Sequence, residues 1–216
     1  MTGSRLAELA RRPRPEPAPP AAEEACELCG APVDPEHRHV LDLRERRLLC
    51  ACRACSILFD RKAAGGGHYR LVPDRSRLVA DFELDDLLWN RLRLPVDLAF
   101  FFRTTAEGRT VAFYPSPLGA TESLLELGAW AEIESANPVL ADLEPDVEAL
   151  LVNRAGEARE HWLVPVDRCY ALVGLIKTRW KGLAGGQEVW EEITEFFGAL
   201  RAEADVVTKD GEETRQ

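Results

Sequence analysis

The chain has 216 residues, 46% of them apolar and 30% charged, with a net charge of −10. This composition excludes a disordered polymer, a fibre and a collagen, and the length suits one domain or one domain with a small module. The longest uncharged apolar runs, LAFFF at 98–102 and YALVGLI at 170–176, are too short to cross a membrane as helices.

The first twenty residues have no apolar run of a secretory leader, so a cytoplasmic protein is expected. Ser4 can cap a short helix over residues 5–12, and PRPEPAPPAA at 13–22 reads as an extended linker. Residues 1–23 are thus expected to be a disordered Pro/Ala-rich tail. Residues 24–70 carry five of the six cysteines and three of the four histidines, with little other apolar content. They end in Ala63-Ala64-Gly65-Gly66-Gly67, a joint and not a phosphate loop, because no Lys-Ser or Lys-Thr follows.

Residues 71–201 have the pattern of an α+β domain. Two β-rich runs at 98–105 and 109–114 flank Ala106-Glu107-Gly108, and a second pair at 148–153 and 159–164 flanks Arg154-Ala155-Gly156-Glu157. Each reads as a hairpin, giving at least four antiparallel strands. Helices are expected at 121–135, capped by Thr121, at 166–180 and at 187–200, where Val189, Trp190, Ile193, Phe196, Phe197 and Leu200 recur at helical spacing. A shorter helix at 85–92 joins the modules. The resulting fold class is α+β: a small metal-bound ribbon module, then an antiparallel sheet with helices on one face. Residues 202–216, charged and turn-rich, are expected to be a flexible tail.

Charge is unevenly spread. Residues 71–216 hold 15 basic and 27 acidic groups, whereas 24–70 hold eight basic and seven acidic. Phosphate binding needs clustered positive surface, so no nucleic-acid partner is expected, and Arg44, Arg46, Arg47 and Arg53 make at most a small basic patch.

The strongest chemical signal is Cys26-Glu-Leu-Cys29-Gly30 followed by Cys50-Ala-Cys52-Arg-Ala-Cys55. Two residues between thiolates let a tight turn aim both sulfurs at one ion, and Gly30 suits the positive φ of such a turn. Cys26, Cys29, Cys52 and Cys55 therefore form a zinc-ribbon-like ligand set whose four thiolates close a tetrahedral, structural site. An iron or iron–sulfur centre is the alternative, since four thiolates hold those equally well. Reduced thiols and disulfides complete the range, and a reducing compartment disfavours the disulfides. Cys50 lies two residues before Cys52, and His37 and His39 share the same spacing, so these three are possible additional or substitute ligands.

The remaining candidates favour structural roles. Cys169 lies on the apolar stripe of its helix, and His161 and Glu160 are strand neighbours that point to opposite faces. His68 reads as a surface residue. No nucleophile elbow, zinc-protease helix, P-loop or dinucleotide fingerprint is present.

The runs CELCGAPVDPEHRHVLD, LLCACRACSILFD, GGGHYRLVPD, FYPSPLGATES, NPVLADLEPDVEALLVNR and EHWLVPVDRCYALVGLIKTRWKGLAGG, spread over residues 26–186, resemble a family of uncharacterised bacterial proteins encoded beside nickel–iron hydrogenase genes. The resemblance implies an accessory to a hydrogenase system, with a hydrogenase subunit or maturation factor as its protein partner. It supplies no catalytic residues. Two readings follow: a non-catalytic binding or assembly protein built around a structural metal, or an iron-containing electron-transfer component of the same system. A small enzyme using Cys169 or His161 is the third.

Overall fold

The computed structural model describes residues 24–60, 67–124, 126–182 and 185–214. The tail, helix and Pro/Ala linker expected over residues 1–23 lie outside the described residues, as do residues 61–66 and with them most of the expected glycine joint.

The cysteine-rich segment builds a three-stranded antiparallel sheet. Strand β1 (Arg38–Asp42) pairs with β2 (Arg47–Ala51) on one side and β3 (Tyr69–Leu71) on the other. The β1–β2 turn is tight because Asp42 Oδ1 accepts from the amides of Arg44 and Glu45, while Arg46 takes a positive φ of 52°. Helix α1 (Arg53–Phe59) follows β2 directly. Val40, Leu49 and Ala51 are buried in this small sheet, and Leu41 and Val72 pack with Val147 and Val166 of the larger domain. The two units therefore share an apolar seam.

The larger unit is a seven-stranded sheet in the order β10-β4-β9-β8-β5-β6-β7. Its strands are β4 (Arg77–Val79), β5 (Leu98–Thr104), β6 (Arg109–Ser116), β7 (Gly119–Ser123), β8 (Glu148–Asn153), β9 (Glu160–Pro165) and β10 (Asp205–Val207). Both expected hairpins are present. Thr104 pairs with Arg109 across a turn holding Gly108 at φ 65°, and Asn153 pairs with Glu160. All neighbours are antiparallel except β4 and β10.

Alternation along the central strands separates two cores. Phe100, Phe102, Leu151, Trp162 and Val164 face α4 (Val166–Arg179) and α5 (Gln187–Glu203), which bury Cys169, Leu172, Val173, Ile176, Val189, Ile193 and Phe197. The two long helices thus share one face of the sheet, and the α+β class read from the sequence is the class observed. Ala99, Phe101, Leu150, Val152 and Leu163 face the other way. That second face is also covered, by α2 (Asp86–Arg91), α3 (Leu127–Ala136) and a 3₁₀ turn (Pro138–Asp142), through Trp89, Trp130, Ile133 and Val139.

Two expectations are corrected. Thr121 does not cap a helix: it lies on β7, paired with Tyr114. Pro117 and Leu118 make a two-residue reversal in which Ser116 Oγ donates to the Gly119 carbonyl, so the chain folds back as a strand. The helix begins later, with the Glu126 carboxylate accepting from Gly128 N and Ala129 N. The C-terminal segment does not simply fray either, since β10 runs parallel to β4 with Val207 buried. Among the described residues no helix is long and apolar enough to cross a membrane.

Candidate metal centre

The first half of the centre is a knuckle. Cys26 N donates to the Ala31 carbonyl and Gly30 N to the Cys26 carbonyl, both at 2.7 Å, and Ala25 bridges Pro32. Gly30 takes φ 77°, a left-handed conformation that a side chain resists. This turn brings the Cys26 and Cys29 sulfurs to the same side.

The second half is the junction of β2 and α1. Cys52 is the N-cap residue of α1, with its carbonyl accepting from Ser56 N at 2.9 Å, and Cys55 lies in the first turn. Helical geometry swings a residue three positions on back over its cap, so the Cys52 and Cys55 sulfurs meet. Glu27 clamps the knuckle to β2: its amide donates to the Cys50 carbonyl at 2.9 Å, and its carboxylate accepts from Cys50 N and from Arg47. That carboxylate is held below its usual range by the Cys50 amide, against the cost of burial, with help from Arg47.

Together these turns gather Cys26, Cys29, Cys52 and Cys55 with all four sulfurs within 4.8 Å of one another. Cys29 Sγ and Cys52 Sγ are 3.7 Å apart, far beyond a disulfide bond of about 2.05 Å. All six cysteines are free thiols. Cys26 is buried and Cys29 exposed, so the group spans from the module's interior to its surface.

The electrostatics suit one shared negative charge. Burial opposes ionisation of Cys26, but backbone donors at Cys52, Leu28 and Cys29 prevail and bring its thiol down to about 6. Cys55 is pushed up to about 12, by desolvation first and then by its sulfur neighbours. One thiolate surrounded by thiols is unfavourable to charge further unless a cation replaces the protons. Four cysteines so placed can hold a metal ion.

Cys50, His37 and His39 form a group of their own. Cys50 stands directly opposite His39 across the β1–β2 pair, and a nitrogen of each ring lies within 4.8 Å of the other and of the Cys50 sulfur. The His39 Nδ1 meets Asp167 Oδ2 at 2.9 Å, so a residue 128 positions away in the first turn of α4 orients the ring.

The other candidates are placed plainly. Cys169 is fully buried on the sheet-facing side of α4, and desolvation pushes its thiol well above the usual range. His161 is buried and stacked on Phe82 at 4.4 Å, while its strand neighbour Glu160 is engaged by Asn153 and Arg201. Burial, with Arg154 and Arg159 adding repulsion, lowers His161 to about 4. His68 contacts Arg44 and joins neither ligand group. No local sequence pattern points to Asp167, because only the packing of α4 near β1 brings it to His39.

Residues 25–204 match DUF5947, a family of unknown function, and the chain belongs to that family. Both ligand groups lie within the matched region. No curated protein and no solved structure matches the chain.

Proposed function

We propose that this member of DUF5947 is a non-catalytic binding or assembly protein whose Cys26, Cys29, Cys52 and Cys55 hold a structural zinc ion. The observation that carries the reading is the convergence of four thiols from two turns onto one point. Four thiolates fill a tetrahedral zinc shell and leave no position for substrate, so the ion acts on folding and not on chemistry. It would fix α1 in place, and α1 carries Ile57 and Leu58, two and three residues after Cys55, at 66% and 61% exposure. Paired apolar side chains on a metal-braced helix suit contact with a protein partner.

The motif resemblance to proteins encoded beside nickel–iron hydrogenase genes supports a hydrogenase subunit or maturation factor as that partner, in the cytoplasm. The iron alternative draws on the exposed position of Cys29, which would put a redox centre at the surface.

Metal content and an ultraviolet–visible spectrum of protein purified without oxygen test the reading. The expected result is zinc without visible absorbance, and capture of a hydrogenase subunit or maturation protein that is lost in Ile57→Asp/Leu58→Asp. Iron with charge-transfer bands would replace the structural reading with electron transfer.

A further inference from the structure

We propose that His37, His39 and Cys50 form a second metal site, separate from the four-cysteine centre, which binds a divalent cation of the zinc or cobalt class with water in the fourth position. The argument starts from backbone register. Cross-strand pairing sets Cys50 directly opposite His39, and His37 is two residues before His39, so the three side chains converge with their donor atoms within 4.8 Å of one another. The rings are 4.9 Å apart by centroid.

Hydrogen bonding then fixes which nitrogens are free. His37 Nδ1 lies 2.8 Å from the Asp34 carbonyl, which can only accept, so Nδ1 carries the proton and Nε2 the lone pair. His39 Nδ1 is 2.9 Å from Asp167 Oδ2, which imposes the same tautomer. Two imidazoles, each held at Nδ1 by an oxygen acceptor and presenting Nε2, are the arrangement that orients metal-binding histidines.

An independent observation points to a ligand. The His37 side chain is only 9% exposed, and its Nε2 is buried without a hydrogen-bond partner among the described residues. A buried lone pair of this kind costs free energy unless something binds it. His37, His39 and Asp167 also line a cleft of about 510 Å³, giving an ion and its water a route in. Two imidazoles and a thiolate suit a borderline-soft ion over magnesium or calcium, which prefer oxygen ligands. Three protein ligands leave one coordination position, which the four-cysteine centre lacks.

Titration of the metal-stripped full-length protein with Co²⁺ tests this, because thiolate number sets the intensity and position of the cobalt bands. Wild-type protein should take up two equivalents with two distinct spectra, one of a four-thiolate site and one of a mixed nitrogen–sulfur site. His37→Gln/His39→Gln should bind one equivalent and keep the four-thiolate spectrum. Asp167→Asn leaves the three ligands in place and should weaken only the mixed site, by about 10- to 100-fold. A single equivalent in wild type, with a four-thiolate spectrum, would overturn the second site and leave the first standing. Two equivalents of unchanged affinity in both variants would also overturn it, as the second ion would then bind elsewhere.

Discussion

Arg75 and Glu148 form a forked ion pair with one partner almost wholly out of water. The Glu148 carboxylate, 1% exposed, accepts from Arg75 Nε at 2.8 Å and Nη2 at 3.1 Å, and its Oε2 also accepts from Glu144 N at 2.8 Å. It stands at the start of β8, a central strand of the large sheet, where these three donors satisfy its buried oxygens. Arg75→Ala should strand a buried charge and cost about 3 kcal/mol in urea denaturation. Arg75→Lys keeps the charge without the fork and should lie between. An alanine variant as stable as the parent would show that the pair contributes nothing.

Cys26 is the most buried of the four clustered thiols. Cys26→Ser should release the bound metal and make residues 24–60 sensitive to protease, with metal analysis and limited proteolysis as the readouts. Structural zinc is worth about 10–16 kcal/mol in small modules, comparable to the stability of a whole domain. Cys169→Ala is the control. It should retain the metal in full and lose only about 1 kcal/mol, for a small cavity beneath α4.

Acid should destabilise the fold through His161. Above the ordinary imidazole range the ring is neutral folded or unfolded, and pH has no leverage through it. Below about 6.5 the unfolded chain takes up a proton that the folded chain refuses until about 4, since burial and Arg154 oppose the charge. Stability through this group is therefore full above 6.5 and falls across that window, by at most about 3 kcal/mol. His161→Phe keeps a ring against Phe82 and should flatten this part of the denaturation-versus-pH curve. An unchanged slope would assign the acid sensitivity to other groups.

The start of α3 allows a comparison between its observed cap, Glu126, and Thr121, the residue the sequence pattern suggests for that role. Glu126→Ala removes the acceptor of two helix amides and should lower the denaturation midpoint more than Thr121→Ala does. Thr121→Ala, on the edge strand β7, should cost less than about 0.5 kcal/mol. A larger loss for Thr121 would place the helix start where the sequence pattern alone suggests it.

The expectation at Thr121 shows what sequence periodicity sees and what it misses. The hairpins around Gly108 and Gly156 and the stripes of α4 and α5 were legible, because period-two and 3.6-residue patterns are written locally. Thr121 followed by Glu122 has the local form of a cap, yet the Pro117-Leu118 reversal and pairing with Tyr114 override it. β10 was illegible for a different reason: Asp-Val-Val in a charged segment has no pattern of its own until it meets β4.

The ligand groups divide in the same way. Cys26, Cys29, Cys52 and Cys55 could be read from spacing, since each pair is made by one tight turn. Cys50, His37 and His39 were visible as surplus ligands. Their separation into a distinct group depends on strand register and on Asp167, both set by tertiary packing.

The pairing of β4 with β10 also constrains the order of events during synthesis. Val79 and its partner Val207 are 128 positions apart, so the hydrogen-bonding edge of β4 stays open while nearly the whole domain leaves the ribosome. Until residue 207 emerges, a nascent chain presents that bare edge to any neighbouring strand. The last pairing in the sheet is therefore one that forms only after every other strand of the sheet has been synthesised.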